Sequence, residues 1–255
     1  MITDQSGNTS AQKFRASTRA IGLAAAAAAL SLSGCQSITG NPYVAEIRII
    51  DASPDAPGID VYQGSNILAY NLGLGTITTY VATSPGTYGI IADTAGSKQQ
   101  LVAASGTLLN GGQYTVLIGN YLNSLQEIIL KDQSTPAPTG QMNVRFIDQA
   151  TRTGALDLYM VPAGATIAGV KPAITNITFN VNSGYFTIPA SSYTLVALPT
   201  GTIPTASTTT SYTGASVSYS SGSARTFVLM DQQIITAPGI QVVTGDDYDS
   251  PSATS

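Results

Sequence analysis

The sequence predicts an all-β protein made of two tandem antiparallel β-sandwiches of immunoglobulin-like or transthyretin-like type, and three observations carry that prediction. From Tyr43 onward, short apolar segments rich in Ile, Val, Thr and Tyr alternate with clusters of Gly, Pro, Asn, Asp and Ser, which is how strands and turns are written. After residue 35 no stretch keeps a helical period over ten or more residues. The strand pattern also occurs twice. Ile47-Arg48-Ile49-Ile50-Asp51 recurs as Val144-Arg145-Phe146-Ile147-Asp148, and Ile59-Asp60-Val61-Tyr62 as Leu156-Asp157-Leu158-Tyr159, both at an offset of 97 residues.

The elements follow in order. Lys13, Arg15 and Arg19 precede an Ala-rich apolar run from Ile21 to Leu32, which is the order of a signal peptide, and residues 1–34 are read as one. The run is shorter than the roughly 20 residues a membrane-crossing helix needs. Leu32-Ser33-Gly34-Cys35 then resembles the lipobox of bacterial lipoproteins, which makes Cys35 the lipidation site and residues 35–43 a tether. The residue after it is Gln36 rather than Asp, and by resemblance to the sorting rule of Gram-negative lipoproteins this points to the outer membrane. Residues 44–132 form the first sandwich. Gln133 to Gly140, with Ser-Thr-Pro-Ala-Pro-Thr-Gly inside it, cannot continue a ladder and reads as a short stiff linker. Residues 141–246 form the second sandwich, and the acidic end, residues 247–255, reads as a disordered tail.

Further segments recur in the same order with drifting spacing. Tyr88 is matched to Tyr193, Thr115-Val116-Leu117 to Phe227-Val228-Leu229, and Glu127–Asp132 to Gln241–Asp246. Thr200–Ser223 reads as a long edge hairpin or a mobile loop. Each copy carries enough strands to enclose its own core, so each is expected to fold alone.

Composition narrows the chemistry. Only 9% of residues are charged. Without residues 1–34 there remain 7 basic and 13 acidic side chains, which makes nucleic acid an unsuitable partner. Histidine is absent, and with it go His-based triads, Cys–His dyads and the usual zinc sites. No Gly-rich phosphate loop or dinucleotide fingerprint is written in the chain, and no cofactor is expected. Asp51, Asp55 and Asp60 surround a Pro-rich loop; their oxygens suit Ca²⁺ in principle, but Ser-Pro-Asp-Ala-Pro is good turn chemistry without a metal, and no metal site is assigned.

Arg48 to Tyr62, with Ser53-Pro54-Asp55-Ala56-Pro57 at its centre, resembles the opening of the bacterial family catalogued as domain of unknown function 4397, often found in tandem in surface lipoproteins. Gly86-Thr87-Tyr88 and Gln113-Tyr114-Thr115-Val116 resemble its later strands. The second copy departs from the family pattern, since Gln149-Ala150-Thr151-Arg152-Thr153-Gly154 replaces the Pro-rich loop. The resemblance implies a fold and a surface location and brings no activity.

The expectation is therefore a non-catalytic cell-envelope lipoprotein, bound to a membrane through the lipid on Cys35 and presenting two sandwiches to an envelope protein or glycan. A polysaccharide-binding accessory lipoprotein is the alternative, with exposed Tyr residues stacking on sugars. A carboxylate-dependent hydrolase comes third. Parity makes one more prediction. If Ile47, Ile49, Ile59 and Val61 face the core, then Arg48 and Asp60 both point away from it, and the pairs Arg48–Asp60 and Arg145–Asp157 are expected as structural ion pairs, one per sandwich.

Overall fold

The computed structural model describes residues 41–233 and 239–249. Cys35 and the signal segment lie outside the described residues.

Two sandwiches of eight strands each form from the duplicated sequence. The first contains β1 Ala45–Asp51, β2 Ile59–Gln63, β3 Asn66–Leu72, β4 Val81–Thr83, β5 Gly86–Thr94, β6 Gln100–Leu108, β7 Gln113–Gly119 and β8 Gln126–Lys131. The second contains β9 Gln141–Gln149, β10 Leu156–Pro162, β11 Ile174–Ile177, β12 Phe186–Pro189, β13 Ser192–Pro199, β14 Tyr212–Ser218, β15 Ala224–Asp231 and β16 Ile240–Tyr248. Their sheets have matching orders, β4-β1-β7-β8 with β3-β2-β5-β6, and β12-β9-β15-β16 with β11-β10-β13-β14. Most neighbours are antiparallel, but β1 pairs with β7 and β9 with β15 in parallel. These orders differ from the ABED and CFG sheets of a constant immunoglobulin domain and fit the transthyretin-like alternative.

Alternation along each strand decides what is buried. Ile47, Ile49, Val61, Ile90, Val116 and Ile118 close the first core, and Val144, Phe146, Leu158, Leu195, Phe227 and Leu229 the second. Phe146 stacks on Phe227 with ring centroids 5.3 Å apart. The opposite faces of β1, β7, β9 and β15 are apolar too. Ile50, Ala52 and Leu117 of the first sandwich meet Ile147, Val228 and Met230 of the second in a third buried cluster. The β4-β1-β7-β8 and β12-β9-β15-β16 sheets thus pack on each other through their outer faces, and the described residues of both sandwiches belong to one compact unit. Burying a Val, Leu, Ile or Met side chain contributes about 1.5–3 kcal/mol, so this contact binds the halves firmly.

The two copies differ at one face. In the second, the connection after β10 carries a 3-10 turn at Ile167–Gly169 that lays Ile167 and Val170 over Tyr159, Val161, Val196 and Leu198. In the first, β2 and β3 are joined through Gly64, whose φ of 59° suits a tight turn, and no such cover crosses Tyr62. Thr200–Ser223 resolves into an irregular connection followed by β14, the edge strand of its sheet.

The predicted end of the second sandwich is corrected. β16 runs to Tyr248, and Asp247 is completely buried, so residues 247 and 248 belong to the sheet and not to a tail. An acidic run reads as solvated until a buried cation that requires it is known.

Candidate functional site

The expected pairs Arg48–Asp60 and Arg145–Asp157 do not form. Parity is right on each strand, but β1 and β2 lie in different sheets of the sandwich. Pointing away from the core therefore sends Arg48 and Asp60 out of opposite sides. Asp60 accepts the backbone N–H groups of Asn71 at 2.8 Å and Gly96 at 3.0 Å. Asp157 accepts those of Asn176 at 2.9 Å and Gly201 at 3.1 Å, with the Thr200 hydroxyl at 2.9 Å. Asn71 and Asn176 have positive φ, 46° and 55°, a conformation Asn adopts more readily than most residues, and each Asp fixes that turn. Burial works against the Asp157 carboxylate, yet its three hydrogen bonds hold it below the usual range. Asp60→Ala and Asp157→Ala should each cost about 1 kcal/mol, the net worth of part-buried hydrogen bonds whose donors water can reach once the carboxylate is gone, with urea midpoints as the measurement.

The two arginines meet different acids. Arg48 donates from Nε to Thr115 Oγ1 at 2.9 Å, from Nη1 to the Asp246 carbonyl at 3.0 Å, and from Nη2 to Asp247 Oδ1. Arg145 donates from Nε to Thr226 Oγ1 at 2.9 Å, from Nη1 to the Lys131 carbonyl at 3.1 Å, and from Nη2 to Asp132 Oδ1 at 2.5 Å. The cation of each sandwich is thus held by the end of the last strand of the other. Arg48 Nη2 also lies 3.8 Å from Asp132 Oδ2.

Each acid is completed from its own sandwich. Asp132 Oδ2 accepts the hydroxyls of Tyr80 at 2.8 Å and Thr115 at 2.6 Å. Asp247 Oδ2 accepts those of Tyr185 at 2.9 Å and Thr226 at 2.7 Å. The guanidinium carbons sit 4.7 Å from the Tyr80 ring centroid and 4.5 Å from that of Tyr185, a cation–π distance. Burial opposes the Arg48 charge, and Tyr80, Asp132 and Asp247 outweigh it. Burial pushes both phenols up, so they remain donors. Gly245 has no side chain because a Cβ there would come within 2.7–2.9 Å of the Arg48 guanidinium.

This arrangement is a lock, with every member paired inside the contact between the sheets. Arg48, Arg145, Asp132 and Asp247 are all 4% exposed or less, leaving no open face for a substrate. Sequence reasoning found both arginines and missed the acids, the threonines and the tyrosines. The available signal was the repeat itself. Thr115 and Thr226 stand in register with Arg48 and Arg145, so the match of Thr115-Val116-Leu117 to Phe227-Val228-Leu229 is one residue out. Likewise Asp132 corresponds to Asp247 and not to Asp246.

Other acids are used singly. Asp51 Oδ1 accepts the Ser53 N–H at 2.9 Å, Asp148 Oδ1 that of Ala150 at 2.8 Å, and Asp55 Oδ1 that of Leu122 at 2.7 Å. The first two are local turn chemistry, whereas Asp55 ties the Pro-rich loop to the start of the 3-10 turn Leu122–Ser124. Among the described residues no group of three or more His, Cys, Asp or Glu side chains is placed to hold a metal.

Comparison with known proteins adds the following. The family model described as "Domain of unknown function (DUF4397)" matches residues 45–159, which takes in the first sandwich, the linker, β9 and the start of β10. No curated protein matches. Among solved structures, the Bacillus anthracis TIE protein is 10% identical with a TM-score of 0.24, over 75% of this chain and 34% of that one; the chain spans about a third of its length. The CBMbc module (family CBM26) of Eubacterium rectale Amy13K, solved with maltoheptaose, is 14% identical with a TM-score of 0.24, over 80% of this chain and all of that one. A streptococcal virulence factor described for alpha-glucan binding is 14% identical with a TM-score of 0.22, over 60% and 80% of the two chains. Likenesses of this size carry no functional argument. The match over residues 45–159 supports the resemblance to the family of domain of unknown function DUF4397.

Proposed function

We propose that the protein is a non-catalytic cell-envelope lipoprotein, anchored in the outer membrane by lipid on Cys35, whose two joined sandwiches present a loop-bearing end for surface interaction. One observation carries the reading. The chain enters β1 beside the turn before β7, where the Gly111 N–H meets the Val44 carbonyl at 2.9 Å. The connections 52–58, 73–80, 120–125, 150–155 and 200–211 lie at the other ends of the strands, in both sandwiches. Both sets share one side, because Gly75 lies against Gln241 and Gly119 against Gln149. Loops on a rigid scaffold are where recognition is usually placed.

A polysaccharide-binding accessory role is the second reading. It draws on Tyr70, which is 69% exposed, and on Tyr62, whose ring lies under the Lys98 ammonium at 3.7 Å rather than under the apolar cover found over Tyr159. The hydrolase reading gains no support, since Asp51, Asp148 and Glu127 sit on faces turned into the sandwiches and not across a cleft.

Cys35→Ala should move the protein from the membrane fraction to the soluble fraction, measured by fractionation of its own cells. Unchanged membrane recovery contradicts the anchor. A glycan array beside crosslinking in envelope extracts then separates the two readings: saccharide binding lost in Tyr62→Ala favours the second, and a crosslinked envelope protein the first.

A further inference from the structure

Among the described residues, three carboxyls outside the lock have buried oxygens that meet no donor: Asp51, Asp148 and Glu127. Asp51 and Asp148 occupy the same place in the two sandwiches, at the ends of β1 and β9, on the side of the inner cores. Both are completely buried. One oxygen of each accepts the backbone N–H two residues on, while Oδ2 meets no donor from the described residues. Glu127 on β8 is placed similarly, since Ile118 stands in register with both Asp51 and Glu127. The two acids therefore flank one core side chain on one face of the sheet, and neither Glu127 oxygen meets a donor from the described residues.

Charges that face these groups do not help them to ionise. Asp51 is affected by burial, relieved in part by the Ser53 N–H, and Glu127 by burial alone. Asp148 is further burdened by the carboxylate of Asp231 on β15, which is itself held by the Thr151 hydroxyl at 2.6 Å and by Arg152 at 3.4 Å. A buried carboxylate without a cation is costly and takes up a proton instead. Asp51 and Asp148 are accordingly pushed up to about 7, and Glu127 to about 8.

We propose that the loop-bearing ends of both sandwiches are closed by neutral carboxylic acids, Asp51 and Glu127 in the first and Asp148 in the second, so that the protein is tight in acid and loosens in alkali. The rest of the composition agrees. There is no histidine to charge in acid, and only 10 of 255 residues are Lys or Arg, so acidification builds little positive self-repulsion. The sign follows from proton binding. The folded state holds these protons between about pH 4, where the unfolded carboxyls release them, and pH 7 to 8. Stability therefore falls as pH rises through that window.

Thermal melts of the purified protein between pH 5 and 8.5, with hydrogen exchange of residues 52–58 and 120–125, test this. The melting temperature should drop on the order of 10 °C toward pH 8.5, with exchange in the two segments rising before global unfolding. Asp51→Asn, Glu127→Gln and Asp148→Asn should each flatten the slope. Should a variant fail to fold, potentiometric titration of the folded and urea-unfolded wild type replaces it, and the folded form should bind about three more protons near pH 6. A melting temperature that is flat or rising from pH 5 to 8.5, or equal proton binding in the two states, overturns the proposal.

Discussion

Asp247→Ala is expected to destabilise the protein by about 3–5 kcal/mol, the range for removing one partner of a buried ion pair. The side chain is completely buried and accepts from Arg48, Tyr185 and Thr226 at once. Its loss leaves a buried guanidinium with a hydroxyl, a carbonyl and an acid 3.8 Å away. Asp132→Ala should cost at least as much, because Arg145, Tyr80 and Thr115 all donate to it. The neighbouring residue is the control. Asp246 pairs with Arg225 at 2.8 Å, but its side chain is 52% exposed, so Asp246→Ala should stay within about 1 kcal/mol. Urea denaturation of the three variants reads the difference directly. Equal and small losses at 246 and 247 would mean that water reaches the lock.

Much of the fold was legible. Alternation of Ile47, Ile49, Ile59 and Val61 fixes which face enters each core, and the offset of 97 residues between Arg48 and Arg145 announces two copies. What alternation cannot convey is which sheet a strand joins. Arg48 and Asp60 have the same parity and point out of opposite sides, and this sank the predicted pairs. The second limit lies in the outer faces. Ile50 and Leu117 beside Arg48 read as ordinary strand residues. Only with Ile147, Val228 and Met230 facing them do they become a third core. The acids of the lock were hidden for a related reason. Asp132 immediately precedes the linker and Asp247 sits in an acidic run, both places where solvation is the normal reading. Their burial is imposed by the opposite sandwich, through Arg48 for Asp247 and Arg145 for Asp132.

Calorimetric unfolding tests most directly the claim that the two sandwiches are one body. The sequence, with a Pro-containing linker between two complete cores, predicts halves that melt separately. The structure adds an interface of Ile50, Ala52, Leu117, Ile147, Val228 and Met230, contributing on the order of 10 kcal/mol, and a set of charges that is satisfied only when the halves are together. That coupling is comparable with the whole stability of a typical domain, about 5–15 kcal/mol, so neither half should unfold and leave the other standing. A single transition, with calorimetric and van't Hoff enthalpies in a ratio near 1, is the predicted result. Two resolved transitions, each keeping its temperature after cleavage between Gln133 and Gly140, would show that the sandwiches are independent and that the lock does not join them.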